Sequence, residues 1–141
     1  MNSKTCHATG TCLASLAEPA FLLDTNICIY LLGGAAASAR ERVEACDEGA
    51  LATSSVAFAE VMVGARSLEI VANAERLFKV VTVLPFDEAA ARAYATLPFR
   101  RGSFDRLIAA HALSLGLTLV TNNERDFADI PDLRIENWIS P

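Results

Sequence analysis

Four acidic side chains occupy positions where a folded chain could use them for chemistry. Asp24 directly follows the apolar run FLL, and ligands of open α/β sheets bind just outside the end of such a buried strand. Glu60 is the single charge in the apolar segment VAFAEVMV, where an unpaired carboxylate is costly to bury. Asp105 opens the segment DRLIAAHALSLGL, and Asp126 ends the polar turn TNNERD. Carboxylate oxygens with no Cys or His among them suit a hard cation such as Mg²⁺ or Mn²⁺.

Each acid could also have a purely structural role. Asp24 could simply cap the helix that follows it, and Asp105 gains from the helix dipole as an N-terminal acid and could cap its helix. Glu60 could lie on a solvated helix face or pair with Arg66. Asp126 could cap the next turn, and for this residue the structural and functional roles both stay open. For Glu60 the apolar surroundings favour a functional acid.

Strand-like and helix-like segments alternate along the chain. The short apolar or β-branched runs predict strands at residues 20–23, 51–53, 80–84, 117–121 and 133–138. The amphipathic segments predict helices at residues 26–32, 35–48, 56–68, 71–78, 87–97 and 105–115. This alternation predicts an α/β fold, with a mostly parallel central sheet of four to five strands covered by helices on both faces.

The composition fits one domain with a sizeable core. The chain has 141 residues, 52% of them apolar, and no apolar run approaches the roughly 20 residues that a membrane helix needs. The net charge of −5 argues against a broad basic surface that binds nucleic acid by charge alone, although arginines could still cluster locally. Residues 1–19 lack clear periodicity, so we expect a flexible N-terminal extension there and the folded domain at residues 20–141.

The cysteines indicate neither a zinc site nor a disulfide framework. Cys6, His7 and Cys12 are one ligand short of a zinc site and poorly spaced for one. Cys28 and Cys46 lie in apolar helical patterns, which is typical of small core residues. Free thiols fit a reducing cytoplasm, where we expect this protein to reside.

Arginines cluster around Asp105. Arg100 and Arg101 precede it in a loop, and Arg106 follows it directly. A solvated loop and a phosphate-contacting patch both account for this cluster, and the sequence leaves the two open. On the same helix, His111 lies among alanines and a leucine, and we expect a core or rim histidine because no Ser or Cys nucleophile accompanies it.

Five stretches between Phe21 and Trp138 follow one another in a specific order and spacing. They are FLLDTN, SSVAFAEVMVGA, FDRLIAAHAL, LTLVTNNERDF and the ending LRIENW. Together they resemble the PIN-domain family, and more narrowly the VapC-type ribonuclease toxins of bacterial toxin–antitoxin pairs. The resemblance assigns the three near-constant acids of that family to Asp24, Glu60 and Asp105.

The fourth acidic position of the family is less clear in this sequence. Asp126 matches the acid before the family's aromatic residue, whereas Asn123 lies where some relatives have an aspartate. The identity of the fourth ligand and the number of metal ions therefore stay open. Asp24 and Asp105 are the expected direct metal ligands. Glu60 and Asp126 would bind through water, complete a second metal site or orient the nucleophile.

The activity that the resemblance implies is hydrolysis of phosphodiester bonds in structured RNA, often a tRNA, by a water that Mg²⁺ or Mn²⁺ activates. Thr25, Asn26 and Asn123 are expected to support the ligands by hydrogen bonds. The resemblance also implies a homodimer and a cognate antitoxin that binds tightly and blocks the site.

Three alternative functions fit the sequence less well. A phosphatase of the haloacid dehalogenase type would need a second aspartate where Asn26 stands. A receiver domain would need an acidic pair before Asp24 and a lysine at a late strand end, and the sequence has neither. A catalytically inactive PIN-like module that binds RNA or protein is the remaining alternative, although retention of the three main acids argues against it.

Overall fold

A parallel five-stranded sheet in the order β3-β2-β1-β4-β5 forms the centre of the computed structural model, which describes residues 18–34, 36–99 and 103–139. The strands are β1 (Phe21–Leu23), β2 (Leu51–Ser54), β3 (Thr82–Leu84), β4 (Thr118–Val120) and β5 (Ile135–Glu136). The α-helices found in these ranges are α1 (Thr25–Gly33), α2 (Ala37–Ala45), α3 (Ser55–Gly64), α4 (Leu68–Val80), α5 (Glu88–Ala95) and α6 (Phe104–Leu115). This architecture confirms the predicted α/β fold.

The central strand β1 places side chains on both faces of the sheet. Leu22 packs in one core cluster with Ile108 and Phe127, whereas Leu23 packs in a second cluster with Ile27. Consecutive strand residues point to opposite faces of the sheet, so the apolar run FLL contributes side chains to the core on both faces. The result is a sheet covered by helices on both sides, as the alternating pattern predicted.

Some boundaries differ from the sequence predictions for local reasons. The helix predicted at residues 56–68 ends at Gly64, and α4 begins at Leu68, earlier than predicted. The cause is Ser67, whose side chain accepts a 3.1 Å hydrogen bond from the amide of Ile70 and so caps a new helix inside the predicted one. The last strand is shorter than predicted, and the turn after β4 contains a 3₁₀ helix at Glu124–Phe127.

Several expectations concern residues outside the described ranges. The extension at residues 1–19 is described only at its last two positions, and Cys6 and Cys12 lie outside the described part of the chain.

Cys28 is fully buried, as expected, while Cys46 packs at the margin of the same core cluster. Across the described ranges, none of the helices has the length and apolar character needed to span a bilayer.

Candidate functional site

Asp24 lies at the carboxyl end of β1 and is 3% exposed. Its Oδ1 accepts a 3.0 Å hydrogen bond from the amide of Ile27, so it does cap α1, the structural role that its position suggested. The hydroxyl of Thr121 and the amide of Asn26 also hydrogen-bond this carboxylate. Burial nevertheless raises the pKa of Asp24 from 3.8 to about 6, with a further contribution from the charge of Asp105. Capping and a role in the site are therefore compatible.

The parallel sheet explains why polar residues gather around Asp24. β1 lies between β2 and β4, and all three strands end at the same edge of the sheet. The amide of Asp24 donates to the carbonyl of Val120 over 3.1 Å, which fixes the start of α1 against the end of β4. On the other side, the hydroxyl of Thr53 donates to the carbonyl of Leu23 over 2.7 Å.

Glu60 reaches this edge from the second turn of α3. Its Oε1 accepts a 2.5 Å hydrogen bond from the hydroxyl of Thr25, the residue directly after Asp24. Ser54 caps α3 by accepting from the amide of Val56, so the helix starts immediately at the end of β2. In the described part of the chain the partner of Glu60 is thus Thr25, and the suggested ion pair with Arg66 is not formed.

Asp105 occupies the first turn of α6 and is partly buried. The suggestion that it caps α6 is wrong, because the capping position belongs to Ser103 and Asp105 lies inside the helix. Burial is the largest influence that raises the pKa of Asp105, followed by the negative charges of Glu60 and Asp126. Together with the effect of Asp105 on Asp24, these influences show that carboxylates from separate elements share one electrostatic neighbourhood.

Asp126 is held by the turn that follows β4. The side-chain amide of Asn123 donates to its Oδ2, and its own amide donates to the carbonyl of Asn123 over 3.2 Å. The amide of Asn123 in turn donates to the hydroxyl oxygen of Thr121 over 3.0 Å. Thr121 therefore connects the Asp126 turn with Asp24, since its hydroxyl serves both. The sequence prediction missed Thr121, although a hydroxyl residue directly after a strand was the available signal.

The donor set suits a hard divalent cation. All of the side chains concerned offer oxygen, and their mutual repulsion would be relieved by positive charge. Among the described residues, however, no three Asp, Glu, His or Cys side chains lie close enough together to coordinate one metal ion directly. Mg²⁺ commonly keeps several waters and takes only one or two carboxylates, so direct coordination by three side chains is not required for binding.

The remaining predicted positions have different outcomes. Arg100 and Arg101 lie outside the described residues. The prediction that Arg106 contacts RNA is wrong for this structure, because Arg106 is 2% exposed and its buried guanidinium pairs with the carboxylate of Asp129. Asn26 has an exposed side chain and contacts Asp24 through its backbone amide only. His111 is buried, as expected, and its ring packs edge-on against the ring of Phe86.

Comparison with known proteins gives a consistent result. The family model of the PIN domain matches residues 21–133. The chain is 40% identical over 129 residues to the tRNA(fMet)-specific endonuclease VapC of Shigella flexneri, a match covering 84% of this chain and 97% of that protein. It is 32% identical over 130 residues to ribonuclease VapC2 of Rickettsia felis, covering 84% and 97%.

A solved structure supports the same relationship. DNA-bound VapBC from Salmonella typhimurium superposes with a TM-score of 0.77 at 34% identity, covering 85% of this chain and 98% of the matched one.

Proposed function

This chain belongs to the PIN-domain family as a ribonuclease toxin of the VapC type, and we propose that it hydrolyses RNA with a divalent cation held among Asp24, Glu60, Asp105 and Asp126. The observation that carries this proposal is the environment of Asp105. Its carboxylate lies close enough to Glu60 and Asp126 for their charges to raise its pKa, and it does the same to Asp24. A group of carboxylates, whose oxygens are hard ligands, at the carboxyl ends of parallel strands is poorly explained by stability alone.

The four acids have two kinds of role in this proposal. Asp24 and Asp105 are the direct ligands of Mg²⁺ or Mn²⁺. Glu60 and Asp126 contact the ion through water, complete a second metal site or orient the attacking water. When bound, the cation lowers the pKa of a water and neutralises charge on the phosphodiester.

The chain's own contribution is to orient these carboxylates before the ion arrives. The amide of Ile27 and the hydroxyl of Thr121 hydrogen-bond the carboxylate of Asp24, so its orientation does not depend on a bound ligand. The hydroxyl of Thr25 fixes Glu60, and the side-chain amide of Asn123 fixes Asp126. In the net reaction a water oxygen adds to phosphorus, one P–O ester bond breaks, and the leaving oxygen receives a proton.

The substrate and partners follow from the relatives as proposals. Two relatives, from Shigella flexneri and Salmonella typhimurium, are named tRNA(fMet)-specific endonucleases, so tRNA(fMet) is the first substrate to test. Solved neighbours include a toxin–antitoxin complex from Klebsiella pneumoniae, and we infer a cognate antitoxin that covers the acids. We also propose a homodimer that acts in the cytoplasm.

The test is cleavage of purified tRNA(fMet) and of an unrelated tRNA by the purified chain, with Mg²⁺, with Mn²⁺ and with EDTA. Cleavage should require the metal and should be lost in Asp24→Asn. A matched control is Asp47→Asn. Asp47 precedes β2, so it lies at the amino ends of the strands, on the side of the sheet away from the acids. RNA binding without any metal-dependent cleavage would contradict the proposal and would indicate the inactive binding module instead.

A further inference from the structure

Arg106 is a buried cation that the proposed chemistry leaves unused. It follows Asp105 in α6, and its side chain is 2% exposed. Its Nη1 donates to Oδ1 of Asp129 over 3.0 Å, and its Nη2 donates to Oδ2 over 2.7 Å, a forked pair. Nη1 also donates to the carbonyl of Asp126 over 3.3 Å, and Nη2 to the carbonyl of Pro98 over 3.2 Å. We call the group of Arg106, Asp129 and the Asp126 carbonyl the clasp.

The clasp joins the two elements that carry Asp105 and Asp126. Asp105 and Arg106 are consecutive in α6, whereas Asp126 lies in the 3₁₀ helix that Asp129 follows. The hydrogen bond from Asn123 to Asp126 lies within that turn. It therefore orients the carboxylate inside the turn without fixing the turn against α6.

A purely stabilising role accounts poorly for the clasp. Arg106 is buried, whereas the side chain of its partner Asp129 is 35% exposed. Replacing a buried ionic group by well-packed apolar side chains is often neutral or stabilising, so the burial of the Arg106 charge needs a reason other than stability. Phe127 already anchors the turn in the core cluster that contains Ile108 of α6. Apolar packing holds the turn against α6 but does not fix its exact position. The planar guanidinium, with its forked hydrogen bonds, fixes the distance and orientation of the turn relative to α6.

We propose that Arg106, through Asp129 and the Asp126 carbonyl, is a positioning residue that sets Asp126 relative to Asp105. The inference rests on the proposed ribonuclease function, in which both carboxylates act on the same reaction. Small displacements of reacting groups slow catalysis strongly, so loss of the clasp should lower kcat far more than it raises KM.

The first test is steady-state RNA cleavage by Arg106→Met, Arg106→Lys and Asp129→Asn, corrected for the folded fraction. We expect kcat of Arg106→Met to fall about 10- to 100-fold, with little change in KM. Arg106→Lys should not restore the rate, because a lysine offers charge without the fork. The exposed pair of Arg92 with Glu88 provides the matched control, and Arg92→Met should cleave like the parent.

A double-mutant cycle separates positioning from general structural damage. If Arg106 acts through Asp126, adding Arg106→Met to Asp126→Asn should cost little further kcat. An equal loss of kcat in both backgrounds would overturn the inference. So would full rescue of cleavage by Arg106→Lys.

Amide hydrogen exchange provides a readout that needs no activity. The amides of Asp126 and Ala128, which bond to Asn123 and Arg125, should exchange faster when the clasp is broken, while the amide of Asp24 should not change. If Arg106→Met does not fold, Asp129→Asn carries the same measurement. Parent-like exchange at Asp126 would overturn the inference that Arg106 positions Asp126. Absence of metal-dependent cleavage in the parent would instead contradict the ribonuclease proposal on which that inference rests, so the two failures are distinguishable.

Discussion

The hydroxyl of Thr25 donates a 2.5 Å hydrogen bond to Oε1 of Glu60, joining residues 35 positions apart in the sequence. The bond links the start of α1 to the second turn of α3 and holds Glu60 beside the residue that follows Asp24. Thr25→Val keeps the branched shape but removes the donor. We expect cleavage to fall about 10-fold or more, the usual cost of losing a contact that orients a ligand.

The matched control for that prediction is Thr25→Ser, which keeps the hydroxyl and removes only a methyl group. Initial rates at saturating metal, with circular dichroism to check folding, provide the comparison. Valine and serine variants of equal activity would show that the hydrogen bond to Glu60 does not matter for turnover.

Buried His111 predicts a loss of stability in mild acid. Burial lowers the pKa of His111 from 6.5, against an opposing influence of Asp87, and its ring centroid lies 5.5 Å from that of Phe86. The unfolded chain therefore takes up the proton at a higher pH than the folded chain. The contribution of His111 to stability is complete above pH 6.5 and is lost as the pH falls through the folded pKa, by at most about 1.4 kcal/mol per pH unit.

The measurement is urea unfolding of the parent and of His111→Leu in EDTA, at about pH 7.5 and about pH 5.5. The parent should lose more stability than the variant between these conditions. Asp24 has a raised pKa and acts in the opposite direction, but it titrates in both proteins, so its contribution cancels in the difference. Identical pH dependence of the two proteins would contradict the prediction.

The sequence predicted those parts of the fold and site that depend on local pattern. Asp24 follows three apolar residues, and that order alone placed it at a strand end near a helix start. Glu60 stood out because a lone charge in an apolar helix is costly unless it has a partner. The alternation of strands and helices was enough for the parallel sheet, because parallel strands need crossovers.

The errors arose where a partner lies far along the chain. Arg106 follows a basic loop, so its local context favoured a solvated or phosphate-contacting side chain, but its partner Asp129 is 23 positions away. Thr121 is similar, since only the packing of β4 against β1 brings its hydroxyl to Asp24.

Ser67 illustrates a local ambiguity, because a serine within a helical pattern either continues the helix or caps a new one.

The N-terminal extension is expected to be dispensable for folding. The match to the PIN domain begins at residue 21, and β1 begins at Phe21. A chain starting at Pro19 should melt within a few degrees of the full chain, as measured by circular dichroism. A large loss of thermal stability would show that the extension packs on the domain.

Arg100 and Arg101 are expected to contact phosphate rather than metal. Changing both to Ala should weaken RNA binding and reduce the slope of log affinity against log salt by up to about 0.9 per lost contact, by analogy with duplex DNA. Fluorescence binding assays across a salt series measure this slope, with Mn²⁺ affinity as the control that should not change. An unaltered slope would place the RNA-binding surface elsewhere.

Asp105→Asn tests the acids directly, because it removes one charge and keeps the shape of the side chain. Without metal, Asp105 is repelled by Glu60 and Asp126, and this repulsion contributes to its raised pKa. Asp105 lies in the first turn of α6, so the variant gives up a favourable helix-dipole interaction of about 0.3–1 kcal/mol. The two effects oppose each other, and we expect the EDTA-treated variant to be as stable as the parent or more so.

Metal should reverse that order of stability. A ligand at about 100 times its Kd stabilises the folded state by about 2.7 kcal/mol, so the parent should melt at a higher temperature with Mg²⁺ or Mn²⁺. Asp105→Asn has lost a direct ligand and should gain much less, and it should not cleave RNA. Thermal melts with EDTA and with metal, beside a cleavage assay and the Asp47→Asn control, measure all three effects. If the variant cleaves RNA at the parent's rate, or if metal shifts neither melt, the acids are structural and the nuclease proposal fails.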